Sequence, residues 1–141
     1  MVEELERKLA AARRGHASAA AGDFEGAIKG FSEALLLDPG NTNLVFSRGL
    51  ALFKTNSHAL AIADFTVVID AMPSWPSGYV HRGQAYLGLQ DFDHAIADFT
   101  ESIRLSPALG PLYRNRALAY EANGDHERAK LDFAEAKRLN G

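Results

Sequence analysis

Four series of residues return along this chain at a step of thirty-four positions. They are Gly15, Gly49, Gly83 and Ala117; Ala27, Ala61, Ala95 and Ala129; Phe31, Phe65, Phe99 and Phe133; and Pro39, Pro73 and Pro107. The run Ala-Ile-Ala-Asp-Phe-Thr occurs twice at the same step, at Ala61–Thr66 and Ala95–Thr100. A unit of this length encloses no core of its own, so the chain must fold by stacking units whose apolar faces cover one another. The stretch from Pro76 to Leu109 reads most clearly. Tyr79, Gly83 and Tyr86, then Ala95, Phe99 and Leu105, mark two amphipathic helices, with turn residues Gln90-Asp91 between them and a stop at Pro107.

Carried along the step, this reading predicts helices at Val2–Ala21 and Phe24–Leu37, Thr42–Lys54 and His58–Ala71, Pro76–Gly88 and Phe92–Leu105, and Pro111–Asn123 and His126–Leu139. A small residue in the first helix, facing the alanine of the second, lets the two backbones approach, and the phenylalanine one turn later fills the space that remains. Asp23, Ser57, Asp91 and Asp125 stand where each second helix begins and can accept from its free N–H groups. Asp38-Pro39-Gly40-Asn41 is a stop-and-turn signal, and Pro76 suits a first helical turn. Ala11 and Ser18 replace the Val45, Tyr79 and Tyr113, or the Leu52, Tyr86 and Tyr120, of later units, so the first unit is expected to pack more thinly. Leu5 and Leu9 give its lengthened first helix apolar contacts. His58 and His126, standing where Phe24 and Phe92 stand elsewhere, are expected to be packing substitutes.

A thirty-four-residue period with a small residue in the first helix, Ala then Phe in the second, and Pro at the end resembles the tetratricopeptide repeat. The resemblance covers Lys8 to Gly141, as units at about 8–41, 42–75, 76–109 and 110–141 behind a short helical extension at 1–7. It implies a single all-α domain over 1–141, a right-handed helix-turn-helix solenoid, with the first helices of successive units lining a concave groove. The chain stops where the fourth unit would reach its proline, which raises the expectation of a domain from a longer protein.

Composition narrows the function classes. A net charge of −3 offers no general attraction to nucleic acid or to anionic membrane. No cysteine is present, which removes disulfides, thiolate metal sites and a cysteine nucleophile. The N-terminus, MVEELERKLAAARR, lacks the apolar run of a signal peptide, and no later stretch is long enough to span a bilayer. A soluble cytoplasmic protein without a cofactor is expected.

Arg14, Arg48, Arg82 and Arg116 form the most regular charged series. An anion-binding ladder is one reading. The preferred reading pairs Arg48, Arg82 and Arg116 with Asp64, Asp98 and Asp132, which recur just before the second-helix phenylalanine, and leaves Arg14 opposite Gly30. Asp91, Asp93, His94 and Asp98 resemble a small metal cluster, yet Asp91 reads as a helix cap and no second cluster supplies further ligands. No Ser–His–Asp order, glycine-rich phosphate loop or HExxH motif occurs, so no enzyme is expected.

The groove positions implied by the resemblance are Leu9, Ala12, Arg13, His16, Ala19 and Ala20 in the first unit, and Asn43, Phe46, Ser47, Leu50, Phe53 and Lys54 in the second. They are Ser77, Val80, His81, Gln84, Leu87 and Gly88 in the third, and Pro111, Arg114, Asn115, Leu118, Glu121 and Ala122 in the fourth. Arg13, Lys54 and Arg114 against Glu121 give this set a balance opposite in sign to the whole chain, and His16 and His81 add to it at low pH. Phe46, Leu50 and Phe53 lie at helical spacing and read either as contact area or as core. The expected function is a noncatalytic protein-interaction module whose groove takes a peptide segment with acidic residues beside an apolar anchor. The alternative is a structural module that associates with itself. The DPGN and MPSWPSGY stretches are similar to those of co-chaperones that clamp acidic C-terminal tails, but the clamp positions hold Ala12, His16, Ser47, Ser77 and His81, or in the other register Phe46, Leu50, His81, Pro111 and Asn115, and none carries the clamp residue.

Overall fold

The computed structural model describes residues 1–140. It contains eight α-helices: α1 Val2–Ala20, α2 Phe24–Leu37, α3 Thr42–Lys54, α4 His58–Ala71, α5 Pro76–Gly88, α6 Phe92–Leu105, α7 Gly110–Ala122 and α8 His126–Asn140. No strand forms among the described residues. Contacts divide the chain into two units, Met1–Ala71 and Met72–Gly141. In the first, α1 packs on α2, α2 on α3 and α3 on α4; in the second, α5 on α6, α6 on α7 and α7 on α8. Four ends shift by one residue from the sequence reading, among them the last residues of α7, Ala122, and of α8, Asn140. Ala21 is the cap of α1 and not its last residue, and α7 starts at Gly110 because Leu109 is extended, which puts Pro111 inside the first turn.

Every turn inside a repeat closes in the same way. Gly22, Asn56, Gln90 and Gly124 have positive φ, 80°, 59°, 59° and 82°. The next amide then reaches back to the carbonyls of Ser18, Leu52, Tyr86 and Tyr120 at 2.8–2.9 Å, which satisfies an end of the first helix and reverses the chain. Asp23, Asp91 and Asp125 cap the second helices by accepting from the amides of Gly26, His94 and Arg128 at 2.9, 3.3 and 3.2 Å. In the second repeat the Ser57 hydroxyl instead lies 3.0 Å from that of Thr55. Asn41 is also a cap: its side chain accepts from the Leu44 amide at 3.1 Å, so the stop after α2 is at once the start of α3.

The recurring small residue faces a different neighbour from the one its spacing suggests. A Cβ on Gly15, Gly49 or Gly83 would stand 2.7 Å from the ring of Phe31, Phe65 or Phe99, the phenylalanine of its own repeat. The glycine therefore makes room for the ring, whereas the alanine series is simply buried. Those three rings are exposed by 1% or less. In the fourth repeat Ala117 brings a methyl group to this place, and Phe133 is 36% exposed.

The first repeat buries only Ala11 and Gly15 of α1 and leaves Leu5 and Leu9, read as apolar contacts, 50% and 43% exposed, yet at one point its helices close tightly. A Cβ on Gly30 would stand 2.5 Å from the Gly15 nitrogen and 3.0 Å from the Ala11 carbonyl oxygen. Where small side chains were read as missing contacts, the backbones of α1 and α2 have closed on each other. In the Met72–Gly141 unit tyrosines tie loops to helices: the Tyr79 hydroxyl donates to the Pro73 carbonyl at 3.0 Å, and that of Tyr113 to the Pro107 carbonyl at 2.9 Å.

Candidate functional site

Three arginines are spent on structure. Arg48, Arg82 and Arg116 each hold an aspartate by two parallel bonds, Nε and Nη2 to the two carboxylate oxygens of Asp64, Asp98 and Asp132, at 2.7–2.9 Å. The aspartates are buried, and the side-chain hydrogen bond to each holds its arginine above the ordinary guanidinium pKa against the opposing effect of burial. An anion ladder is thereby ruled out at these positions. Arg48 reaches Ser32 Oγ and Arg116 reaches Thr100 Oγ1 with the remaining nitrogen, at 3.4 and 3.3 Å. Arg14 does not go without a partner: it donates to Glu33 at 2.8 Å on the surface. Sequence reasoning missed this pair, although Glu33 lies three residues past Gly30 and so on the same face of α2.

The other titratable candidates are also engaged. Asp91 accepts from the α6 N-terminus and lies 2.8 Å from His94 Nδ1, and that side-chain bond is the main cause that holds its pKa below the usual carboxylate range. Asp98 gives both oxygens to Arg82. Among the described residues no group of three potential ligands is placed to hold a metal ion. His58 behaves as a packing residue, its ring edge-on to Phe53 at 5.3 Å. His126 corrects the sequence reading: it is exposed and lies 3.0 Å from Glu121, because the α7–α8 turn leaves it beside that carboxylate and away from the core.

The positions expected to face a partner divide between the two units. In Met1–Ala71 they lie on α1 and α3. Arg13, His16, Asn43 and Lys54 are exposed, and Phe46, Ser47, Leu50 and Phe53 are half-buried. Phe46 rests on Phe65 with ring centroids 5.9 Å apart, His16 is edge-on to Phe31 at 4.8 Å, and Phe53 rests on His58. Phe46 and Phe53 are thus half-buried and held against neighbouring rings, while His16 is exposed. Fixed aromatic surface of this kind costs little conformational entropy when it is covered.

In Met72–Gly141 the corresponding positions lie on α5 and α7. Arg114 and Leu118 are exposed, and His81, Gln84 and Asn115 are half-buried. Burial pushes the His81 imidazole below its ordinary value, so the charge expected of it at low pH needs a still lower pH to appear. Arg13, Lys54 and Arg114 form no ion pair among the described residues, while Glu121, counted against them from sequence, has His126 beside it. Lys54 also occupies the last turn of α3, where the helix dipole favours a cation. No described helix is long and apolar enough to cross a membrane.

Comparison with known proteins places these helix pairs. Family models described as tetratricopeptide repeat match residues 9–76, 76–109 and 111–141. The Hsp70-Hsp90 organizing protein of Triticum aestivum is 38% identical over 78 residues, 55% of this chain and 13% of that protein, so the chain spans a small part of that relative's length. Among solved structures, MamA from Desulfovibrio magneticus RS-1 has a TM-score of 0.90 at 23% identity, over 94% of this chain and 75% of that one. TTC0263, a thermophilic tetratricopeptide protein of Thermus thermophilus, has a TM-score of 0.76 at 20% identity, over 94% and 74%. These likenesses show the fold. With the shared period, the glycine–phenylalanine contacts and the matched models, the chain belongs to the tetratricopeptide repeat family.

Proposed function

We propose that this protein-interaction module holds a partner segment with acidic residues beside an apolar anchor on the α1/α3 face of the Met1–Ala71 unit. Phe46, Leu50 and Phe53 supply the contact area, and Arg13 and Lys54, with His16, Asn43 and Ser47 around them, supply the charge and hydrogen bonds. The observation that carries the reading is the combination of ring surface supported from below with cations that no described carboxylate neutralises. Partly buried aromatic residues give affinity, and rim charges select and steer. The α5/α7 face of the second unit offers Arg114 with His81, Gln84 and Asn115 and takes acidic residues in the same way. The role is noncatalytic and cytoplasmic, and it needs no cofactor.

The wheat relative's name refers to Hsp70 and Hsp90, but the tail-clamping positions here hold Ala12, His16, Ser47, Ser77 and His81, so a carboxylate clamp is not part of the proposal. The test is an array of acidic peptides with and without an aromatic or leucine anchor, probed with the wild-type chain and with Phe46→Ala/Lys54→Glu/Arg114→Glu. Circular dichroism checks that the variant is folded. Loss of anchored acidic peptides by the variant supports the site. Equal binding by both chains overturns it, and an association only between copies of the chain puts self-assembly in its place.

A further inference from the structure

In α2 and α6 one stripe of the helix serves the helix that follows, α3 or α7. On α6 the stripe is Ile96, Phe99 and Ile103. Ile96 packs against the buried cluster of Ala95, Phe99 and Ala119, the last of these on α7, and Ile103 is 8% exposed. On α2 the same step gives Ile28, Phe31 and Leu35, and on α8 it gives Lys130, Phe133 and Lys137. The phenylalanine is kept, and both aliphatic neighbours have become lysine. Spaced by three and four residues, these side chains share one face of α8, with the lysines about 10 Å apart along its axis.

The ring has also been moved. Gly83 leaves room for Phe99, since a Cβ there would stand 2.7 Å from it, but in the fourth repeat Ala117 carries that Cβ. A ring seated as deep as that of Phe99 would collide with the Ala117 methyl group, and Phe133 is 36% exposed where Phe31, Phe65 and Phe99 are exposed by 1% or less. A helix face that had only to be wetted would lose its ring along with its aliphatic residues. Instead α8 keeps the ring, turns it outward and flanks it with charge.

Both lysines are exposed and form no ion pair among the described residues. Most other charges of α8 are engaged: Asp132 with Arg116, Arg128 with Asp125, and Glu135 with Arg138. Glu127 remains, in the first turn, where the helix dipole favours a carboxylate. Glu121 of α7 has His126 beside it. The stripe thus sets two positive charges around an apolar centre, and an acidic occupant complements it. Because α3 lies on α2 and α7 on α6, the face is shaped for a helix. A second copy does not supply that helix by the same packing. The α1 counterpart of Ala119 is Ala17, which follows Arg13 and Arg14, and only Arg14 has a carboxylate partner.

We propose that α8 is a second docking surface, for an acidic amphipathic helix of a partner that lays an apolar side chain on Phe133 and sets carboxylates against Lys130 and Lys137. It lies on a different unit from the α1/α3 face and takes its carboxylates at a fixed separation. The test uses labelled helical peptides with two glutamates seven positions apart and a leucine between them, and counterparts with lysine for glutamate or serine for leucine. Fluorescence anisotropy follows their binding to the full wild-type chain, to Lys130→Glu/Lys137→Glu and to Phe46→Ala/Lys54→Glu. Circular dichroism checks folding, and Lys130→Gln/Lys137→Gln takes the place of the charge-reversed chain if that chain does not fold.

The glutamate–leucine peptide should bind the wild type about tenfold or more tightly than either counterpart. That preference should be lost in the α8 variant and kept in Phe46→Ala/Lys54→Glu, and the charge-reversed chain should prefer the lysine peptide. Absence of binding to the wild type overturns the proposal and makes α8 a solvated face. A preference that survives in the α8 variant also overturns it, and one abolished only by Phe46→Ala/Lys54→Glu assigns the peptide to the α1/α3 face instead. A wild-type dimer that the α8 variant dissolves would overturn it too and assign the surface to a second copy.

Discussion

Gly30 on α2 lies so close to Gly15 on α1 that a Cβ built on it would stand 2.5 Å from the Gly15 nitrogen. The other repeats hold Asp64, Asp98 and Asp132 at this step, so Gly30→Asp looks at first like the restoration of a missing partner for Arg14. The contact says otherwise. The substitution should destabilise the protein by about 1–3 kcal/mol, the usual cost of forcing extra atoms into a closed helix pair. A denaturant titration of Gly30→Asp with a midpoint at or above that of the wild type would refute this.

The left-handed turn residues make a prediction of opposite sign. Gln90 adopts φ 59° where Gly22 and Gly124 do so without a Cβ. Gln90→Gly should therefore stabilise by about 0.5–1 kcal/mol, the relief of the turn being partly offset by greater freedom of the unfolded chain. Thermal unfolding should shift upward by a few degrees. Gly124→Ala should move it downward, and a shift of the two variants in the same direction would contradict this account.

Asp98 stands between two outcomes that a single experiment separates. Asp98→Ala leaves the partly buried Arg82 without its two-pronged partner, and we expect a loss of about 2–4 kcal/mol, less than for a fully buried pair because water reaches the arginine. Binding of acidic peptides on the α1/α3 face should not change. A stability near that of the wild type, with altered binding, would mean that Arg82 serves a ligand after all.

His81 links stability to pH. Burial holds its pKa in the folded chain below the ordinary value of 6.5, so between those two values the unfolded chain binds the proton more readily. Its contribution to stability is complete above the unfolded value and is lost as the pH falls through the folded one. Melting temperatures measured from about pH 7 to pH 5 should decline less steeply for His81→Gln than for the wild type. Parallel curves would remove His81 as the cause.

The period made the helices legible because each repeat supplies the same local signals. Phe24–Leu37, Thr42–Lys54 and Phe92–Leu105 are found where those signals place them. The three arginine–aspartate pairs followed from two series at the same step. What a series cannot carry is a contact made by only one repeat. Gly30 reads as an absent aspartate until the backbone of Gly15 is seen beneath it, and Glu33 matters only because Gly30 leaves Arg14 unengaged. The turn conformation was hidden for a related reason: Asn56 and Gln90 adopt what Gly22 and Gly124 advertise. At Phe46, Leu50 and Phe53 the spacing showed only a shared helix face, and the family resemblance favoured surface over core; half-burial could not be read, since for Phe46 and Phe53 it involves Phe65 and His58 across the helix pair.

The reach of Arg48 to Ser32 and of Arg116 to Thr100 bears on how such a chain can grow. Each of these arginines is held by an aspartate of its own repeat and grips a hydroxyl supplied by the one before, so a duplicated repeat brings half of its own joint and finds the other half waiting. Gene segments encoding the later repeats are in this respect exchangeable parts. The first is not: with glycine in place of the aspartate and Arg14 committed to Glu33, it has given up the fitting that would let it follow another.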